Sequence, residues 1–355
     1  MRKAATIVSF GVFVYMLSLS GCKNEASKQA VDPVIISAAE KLFDLQMSSS
    51  EKDSMMDALE TQLADYKIIH NQQIDNSIPP AIWFNPVPAS VVFASEQKPI
   101  NWAFPSNVAL PKNFNELAWY SVADLSVLIR TRKITSVELT KLFINRLKKY
   151  GDTLHCVITL TEERAMKQAR KADDDLARGI YHGPLHGIPY GIKDLFSVEG
   201  YKTTWGAAPY KDQQIAKDAT VIKKLDEAGA VLLAKFSLGS LAMDDVWFGG
   251  LTRNPWDLNQ GSSGSSAGSA AATAAGLVPF AIGTETWGSI VSPSNRCGVT
   301  GLRPTFGRVS RTGGMALSWS MDKVGPICRS AFDCALVFNS LLGADGFDQS
   351  VSNYP

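Results

Sequence analysis

From about Trp119 onwards, short apolar runs alternate with segments of helical length. The apolar runs cover residues 156–160, 188–192 and 230–234, and the last of these reads Ala-Val-Leu-Leu-Ala. Such a run between turn signals is typical of a buried strand. Helices that alternate with apolar strands predict an α/β fold, in which a sheet carries helices on its faces.

The segments between these runs carry helix signals. Thr135-Ser136-Val137-Glu138 is a capping-box pattern that opens a helix with an apolar face. A charged helix is predicted over residues 162–178, where Gly179 ends it. A further helix is predicted over residues 219–228, directly before the apolar run at 230–234.

The part of the chain before this alternation has another character. Apolar residues at helical spacing predict one or two helices over residues 34–67, with Ser50 and Asp53 as a candidate cap for the second. Proline then recurs and indicates an irregular linker. We therefore predict a helical extension and proline-rich linker over residues 22–115, and a main domain over residues 116–355.

The first residues have the layout of a secretory signal peptide. Arg2 and Lys3 precede an almost continuously apolar or small run that ends in Leu-Ser-Gly-Cys at Cys22. This ending resembles the lipobox of bacterial lipoproteins. The resemblance implies cleavage after residues 1–21, a lipid on Cys22, and an extracytoplasmic protein anchored to the bilayer of the cell envelope. An uncleaved membrane anchor is the alternative, because the run nearly reaches spanning length.

Charge and cysteine content exclude some classes of protein. Lys plus Arg (35) and Asp plus Glu (34) leave a net charge of +1, so no nucleic-acid partner is expected. Five cysteines in 355 residues do not make a disulfide-dense scaffold. Two questions stay open: the oligomeric state, and disulfides among Cys156, Cys297, Cys328 and Cys334.

Residues 261–305 are unusual, because a Gly/Ser-rich run merges into an Ala-rich segment and an apolar strand. A flexible linker would not continue in this way. A phosphate-binding loop would end in Gly-Lys-Ser/Thr, which is absent from the run. Residues 264–268 match the Gly-x-Ser-x-Gly pattern of a nucleophile elbow, but all four histidines precede Ser266, and that triad needs its histidine afterwards.

Three separated motifs resemble those of the amidase signature family of serine hydrolases. They are Gly191-Ile192-Lys193-Asp194, the loop over residues 264–269, and the turn over residues 283–290. The resemblance extends from about Tyr120 to the last residue. It implies a mixed central sheet covered by helices on both faces, hydrolysis of the C–N bond of a small-molecule carboxamide, and no metal or cofactor.

The resemblance also implies a Ser–Ser–Lys triad. Ser289 would be the nucleophile, and Ser265 would bridge it to Lys193 from a cis peptide bond after Gly264. A serine hydroxyl needs a nearby base. Lys193 can be that base only when neutral, so burial must lower its pKa from about 10.4. Lys235 is a rival base that lacks the motif context.

Further residues receive supporting roles from the resemblance. Backbone N–H groups of the turn before the nucleophile would form the oxyanion hole. These belong to Thr286, Trp287 and Gly288. Four further residues would orient the catalytic groups without reacting themselves: Asp194, Glu285, Gly264 and Ser266.

The chain departs from the family pattern in two respects. Trp287 stands where the family has glycine, and Val291 where it has arginine, with Arg296 as a candidate replacement. The family's domain also normally continues beyond such an ending, so we expect its C-terminal part to be missing. The alternatives are therefore a catalytically impaired fragment or binding remnant, an esterase, or the transamidation subunit of an amidotransferase, which the signal peptide disfavours.

Overall fold

The computed structural model of the chain describes residues 31–74, 78, 85, 87, 88, 90–94, 96, 98 and 100–352. The predicted signal peptide over residues 1–21 and the predicted lipidation site at Cys22 lie outside these residues. The chain divides into two compact units between Asp75 and Asn76. The linker residues from Asn76 onwards, which the sequence analysis grouped with the helical extension, belong to the larger unit.

The smaller unit contains two helices, α1 (Pro33–Phe43) and α2 (Ser49–His70), as predicted. The predicted cap of α2 was wrong by two residues. Ser48 accepts the N–H of Glu51, and Glu51 accepts the N–H of Ser48 at 2.7 Å, which together form the capping box. In the described part of the chain, no helix combines the length and apolar character needed to cross a membrane.

The larger unit opens with helical elements. A 3₁₀ helix (Phe114–Trp119) precedes α3 (Val122–Arg130) and α4 (Ser136–Leu154). The predicted capping box at the start of α4 is confirmed: Glu138 donates its N–H to the Thr135 hydroxyl, and its carboxylate accepts the N–H of Thr135. One face of α4 is buried in the core.

The strands follow in chain order, and ten of them are described. They are β1 (Val157–Leu160), β2 (Pro189–Lys193), β3 (Val231–Phe236), β4 (Val246–Trp247), β5 (Gly250–Leu251), β6 (Arg253–Asn254), β7 (Asp257–Gly261), β8 (Phe280–Glu285), β9 (Thr300–Gly301) and β10 (Lys323–Cys328). Six of them form the central sheet, in the order β1-β3-β2-β8-β10-β9. The other four form two short hairpins, β4 with β5 and β6 with β7.

The central sheet is mixed, as predicted. Strand β2 pairs in parallel with both β3 and β8, whereas β1, β10 and β9 join by antiparallel pairing. Every residue of β2, β3 and β8 is buried. Since successive side chains of a strand point to opposite faces, both faces of the sheet's centre are covered.

Within the described residues, five α-helices lie between and after these strands, together with two short 3₁₀ helices, Ala208–Tyr210 and Ser240–Ala242. The five α-helices are α5 (Glu162–Ala177), α6 (Thr220–Glu227), α7 (Ala267–Ala274), α8 (Val291–Cys297) and α9 (Ala331–Leu341). The predicted α/β architecture with an N-terminal helical extension is therefore confirmed. The four cysteines of this unit are buried, free thiols: Cys156, Cys297, Cys328 and Cys334.

Candidate active site

Three parallel strands end together at one edge of the sheet. Strand β2 ends at Lys193, β3 at Phe236 and β8 at Glu285. Ligands of open α/β sheets bind beyond the carboxyl ends of such strands. The close packing of β2 against β3 needs a glycine, since a Cβ at Gly191 would lie 1.9 Å from the Phe236 ring. This edge therefore holds Lys193 in a fixed position.

Lys193 is completely buried among hydroxyl and carbonyl groups. Its Nζ lies 2.8 Å from Ser265 Oγ, 2.8 Å from Thr284 Oγ1 and 3.3 Å from the Thr284 carbonyl oxygen. Burial lowers the pKa of Lys193 to about 7, against the opposing attraction of the Asp322 and Glu285 carboxylates. A substantial fraction of Lys193 is therefore neutral near pH 7, which is the form that accepts a proton.

The second buried lysine has a different neighbour. Lys235 Nζ lies 2.6 Å from Asp194 Oδ1, and both side chains are fully buried. The other Asp194 oxygen accepts the N–H of Thr204 at 2.8 Å. Burial lowers the pKa of Lys235 and raises the pKa of Asp194, and the attraction between the two groups opposes both shifts. Asp194 thus joins β2 to β3 through Lys235, and within the part of the chain that the structure describes Lys193 has no directly paired carboxylate.

The loop before α7 carries the bridging serine. The peptide bond between Gly264 and Ser265 is cis, as the resemblance implied. A Cβ at Gly264 would lie 1.8 Å from the Asp244 carbonyl oxygen, so only glycine fits there. The preceding Ser263 donates its N–H to Asp245 Oδ2 at 2.8 Å. Contacts with Asp244 and Asp245 thus fix the loop before Ser265.

Ser266 attaches this loop to the nucleophile's turn. Its hydroxyl donates to the Thr284 carbonyl oxygen at 3.1 Å, and its backbone N–H donates to the Ser289 carbonyl oxygen at 3.0 Å. Ser265 and Ser289 are therefore brought to neighbouring positions. Within the described residues, the half-buried Ser289 has no side-chain hydrogen bond, so its hydroxyl is free to turn.

Glu285 shapes the turn that leads to Ser289. The carboxylate is fully buried, and its Oε2 accepts the N–H groups of Ile290 at 2.8 Å and Val291 at 2.9 Å. Its Oε1 lies 2.9 Å from Arg303 Nη1. Glu285 therefore satisfies the first N–H groups of α8, which no carbonyl of the helix itself can reach.

The predicted oxyanion-hole residues form the tip of this turn. Thr286 donates its hydroxyl to Asp322 Oδ1 at 2.5 Å, and Trp287 is exposed. Among the described residues, no group of the protein accepts the backbone N–H of Thr286, Trp287 or Gly288. These three donors are thus free to bind an oxygen atom of a ligand.

Two arginines after the turn make different contacts. Arg296 is exposed, and its Nη1 lies 3.4 Å from Gln260 Oε1, so it does not take the place of an arginine at Val291. Arg303 instead reaches the turn through Glu285. Sequence reasoning assigned Arg303 no role, although it lies within the unusual stretch over residues 261–305.

Three more residues at the site were missed: Thr284, Asp322 and Lys323. Thr284 makes two contacts with Lys193, and its position inside the motif over residues 283–290 was the signal that could have identified it. Lys323 begins β10 and Asp322 directly precedes it, far along the chain from the motifs, and only the pairing of β10 with β8 brings them near the turn. No local sequence pattern predicts the pairing of β10 with β8.

Comparison with known proteins agrees with this geometry. Residues 138–355 match the protein-family model described as Amidase. The chain is 44% identical over 237 residues to a component of the glutamyl-tRNA(Gln) amidotransferase of Coxiella burnetii (strain Dugway 5J108-111), and the match covers 66% of this chain and 49% of that relative. The chain thus spans about half the length of the curated relatives it matches.

Solved structures give the same result. The native peptide amidase from Stenotrophomonas maltophilia aligns with a TM-score of 0.65 and 35% identity over 68% of this chain and 51% of that one. A bacterial aryl acylamidase of the amidase signature enzymes aligns with a TM-score of 0.62 and 30% identity over 66% of this chain and 50% of that one. Sequence and fold therefore point to one family.

Proposed function

Since the chain belongs to the amidase signature family, we propose that it hydrolyses the C–N bond of a small carboxamide through an acyl-enzyme on Ser289. The observation that carries this proposal is the buried contact of 2.8 Å between Lys193 Nζ and Ser265 Oγ. A lysine with a pKa of about 7 beside a serine hydroxyl is a base poised for operation near neutral pH.

The reaction would begin with neutral Lys193. Its two N–H bonds suit the two oxygens of Thr284, which leaves the nitrogen lone pair for the Ser265 hydroxyl. As Ser289 Oγ forms a bond to the amide carbon, its proton passes to Ser265, whose own proton passes to Lys193. The carbonyl oxygen, now negative, accepts hydrogen bonds from the free N–H groups of the turn.

Collapse of the tetrahedral intermediate would break the C–N bond. The proton returns from Lys193 through Ser265 to the leaving nitrogen, which departs as a neutral amine or ammonia. Water then attacks the acyl-enzyme by the same relay and releases the carboxylic acid and Ser289. An ester would follow the same steps with an alcohol as leaving group.

A fluorophosphonate, which reacts covalently with activated serines, tests the proposal. We expect the purified chain to be labelled and to release acid from at least one member of a panel of short, long and aromatic amides. Ser289→Ala should lose both labelling and hydrolysis, whereas Ser54→Ala, which removes an exposed hydroxyl of α2, should keep both. Equal labelling of wild type and Ser289→Ala would overturn the assignment of the nucleophile.

The names of the curated relatives favour a second candidate, a component of an amidotransferase. In that case the ammonia released when Ser289 takes the acyl group of an amide would pass to an acceptor such as glutamyl-tRNA(Gln). Purified chain that hydrolyses simple amides alone supports the hydrolase. Release of ammonia from an amide only when the acceptor and partner proteins are added supports the second candidate.

We also propose that the protein is a lipoprotein of the cell envelope. Support comes from the sequence: positive charges at Arg2 and Lys3, an apolar run, and a cysteine where the run ends. An extracytoplasmic location favours the hydrolase over transamidation, which needs aminoacylated tRNA from the cytoplasm.

A further inference from the structure

The turn before α8 comprises residues 286–289, and each of its four carbonyl groups accepts a hydrogen bond. Two of the donors are backbone N–H groups: Ser292 donates to the Gly288 oxygen at 2.8 Å, and Ser266 donates to the Ser289 oxygen at 3.0 Å. The other two donors are side chains. Lys323 Nζ donates to the Thr286 oxygen at 2.9 Å, and Arg303 Nη1 lies 3.5 Å from the Trp287 oxygen.

A hydrogen bond to a carbonyl oxygen also sets the direction of the following N–H group, which belongs to the same planar peptide unit. Among the described residues, the only cis peptide bond is Gly264–Ser265, so the bond between Thr286 and Trp287 is trans. In a trans unit the C=O and the following N–H point in opposite directions. Because Lys323 holds the Thr286 carbonyl, the N–H of Trp287 is directed away from Lys323.

Lys323 is well placed to hold this peptide unit. It is the first residue of β10, directly opposite Glu285 in the antiparallel pairing of β10 with β8. The side chain is half-buried, and its contact with the Thr286 oxygen has ordinary hydrogen-bond length. The contact of Arg303 with the next carbonyl is longer, and Arg303 is also engaged with Glu285. Lys323 is therefore the main side-chain donor to the turn.

We propose that Lys323 is a positioning residue for the oxyanion hole: it holds the Thr286 carbonyl so that the N–H of Trp287 faces the developing negative charge. This inference rests on the proposed function, because it concerns the transition state of that reaction. In this role Lys323 acts through its contact with the turn and not through a contact with the substrate. Its loss should therefore weaken binding of the transition state and leave binding of the ground state unchanged.

The test compares Lys323→Met, Lys323→Arg and wild type on the amide that wild type hydrolyses fastest. Methionine keeps the length of the side chain and removes the donor, whereas arginine keeps a cationic donor. Lys223→Met is the matched control, since Lys223 is an exposed lysine of α6. Phenylboronic acid is the second probe, because its boron accepts the Ser289 oxygen and becomes a tetrahedral anion in the oxyanion hole.

We expect Lys323→Met to lower kcat about tenfold to a hundredfold, less than the loss of an oxyanion-hole donor itself. KM should change less than about twofold, and inhibition by phenylboronic acid should weaken by the same factor as kcat. Lys323→Arg should recover most of both losses, and Lys223→Met should behave as wild type. A melting curve for each variant establishes that the fold is retained.

Each other outcome is decisive. If Lys323→Met raises KM and leaves kcat unchanged, Lys323 binds substrate and the inference is wrong. If kcat falls while inhibition by phenylboronic acid is unchanged, the oxyanion hole is intact and the inference is again wrong. An active wild type with a fully active Lys323→Met overturns the inference alone. A wild type that hydrolyses no amide and reacts with no fluorophosphonate overturns the proposed function, and this inference with it.

Discussion

Two lysines at the edge of the central sheet are fully buried, and their neighbours give them different chemistry. Lys193 faces hydroxyl and carbonyl groups, which stabilise a neutral amine as well as a charged one. Lys235 faces the Asp194 carboxylate, which stabilises the ammonium form. Burial alone therefore does not make a base; the absence of a directly paired carboxylate is what distinguishes Lys193.

The pH dependence of hydrolysis should report the ionisation of Lys193. Only the neutral amine accepts the proton, so kcat/KM should rise with pH through a midpoint near 7 and be lost below it. Lys193→Ala should lower kcat/KM by about 10²–10⁴-fold, the usual contribution of a general base. A midpoint above pH 9, or a rise that survives Lys193→Ala, would contradict this.

Burial of Lys193 should also appear in the stability of the protein. Its pKa is about 7 in the folded state, against an ordinary value of 10.5, so the unfolded chain binds more protons between these pH values. The free energy of unfolding of wild type should therefore rise with pH over this range relative to Lys193→Met. Urea unfolding of both proteins at pH 7 and pH 10 measures the difference. Parallel changes in the two proteins would show that Lys193 is not buried as described.

The sequence motifs identified Lys193 and Ser265, which the structure brings into contact. They did not identify the residues that reach the site only through the pairing of β10 with β8. Lys193 and Ser265 are 72 positions apart yet make direct contact, which spacing alone could not establish. Asp322 and Lys323 reach the turn because β10 pairs with β8, and a polar pair at the start of a strand carries no signal of that pairing.

Individual elements were predictable where local chemistry decides them. The start of α4 follows from the reciprocal bonds of Thr135 and Glu138. The polar stretch Asp257–Gly261 has no apolar pattern that predicts a strand, yet it forms β7, because pairing with β6 stabilises it. The order of the six strands depends on contacts between distant segments, so no local pattern could specify it.

The buried ion pair that joins β2 to β3 should be important for stability and not for the reaction. Lys235→Met leaves the buried Asp194 carboxylate without its oppositely charged partner, so we expect a loss of about 3–5 kcal/mol in the free energy of unfolding. The double variant Lys235→Met/Asp194→Leu should lose less than the single one, since it leaves no unpaired charge. Denaturant unfolding measures both. The pH midpoint of any residual activity should stay near 7, and a shift would mean that Lys235 is part of the base.

The candidate active-site residues all lie in the larger unit of the chain. The sequence features that predict where the protein is located lie in residues 1–22. The chain's net charge is +1, and Lys plus Arg nearly equal Asp plus Glu. A protein with this balance has no general electrostatic attraction to anionic membrane surfaces. If the first residues are cleaved as the lipoprotein proposal requires, stable attachment to a membrane would therefore depend on a lipid at Cys22.

Fractionation of cells that express the full chain tests this dependence. Several acyl chains anchor a protein firmly, so wild type should sediment with membranes, resist high salt and dissolve in detergent. It should also incorporate a labelled fatty acid. Cys22→Ser should lose the label and remain uncleaved, whereas Ser20→Ala, which changes the residue two positions before the cysteine and keeps the cysteine, should behave as wild type. Release of wild type by salt alone, or equal labelling of Cys22→Ser, would show that the lipoprotein proposal is wrong while leaving the chemistry at Ser289 untouched.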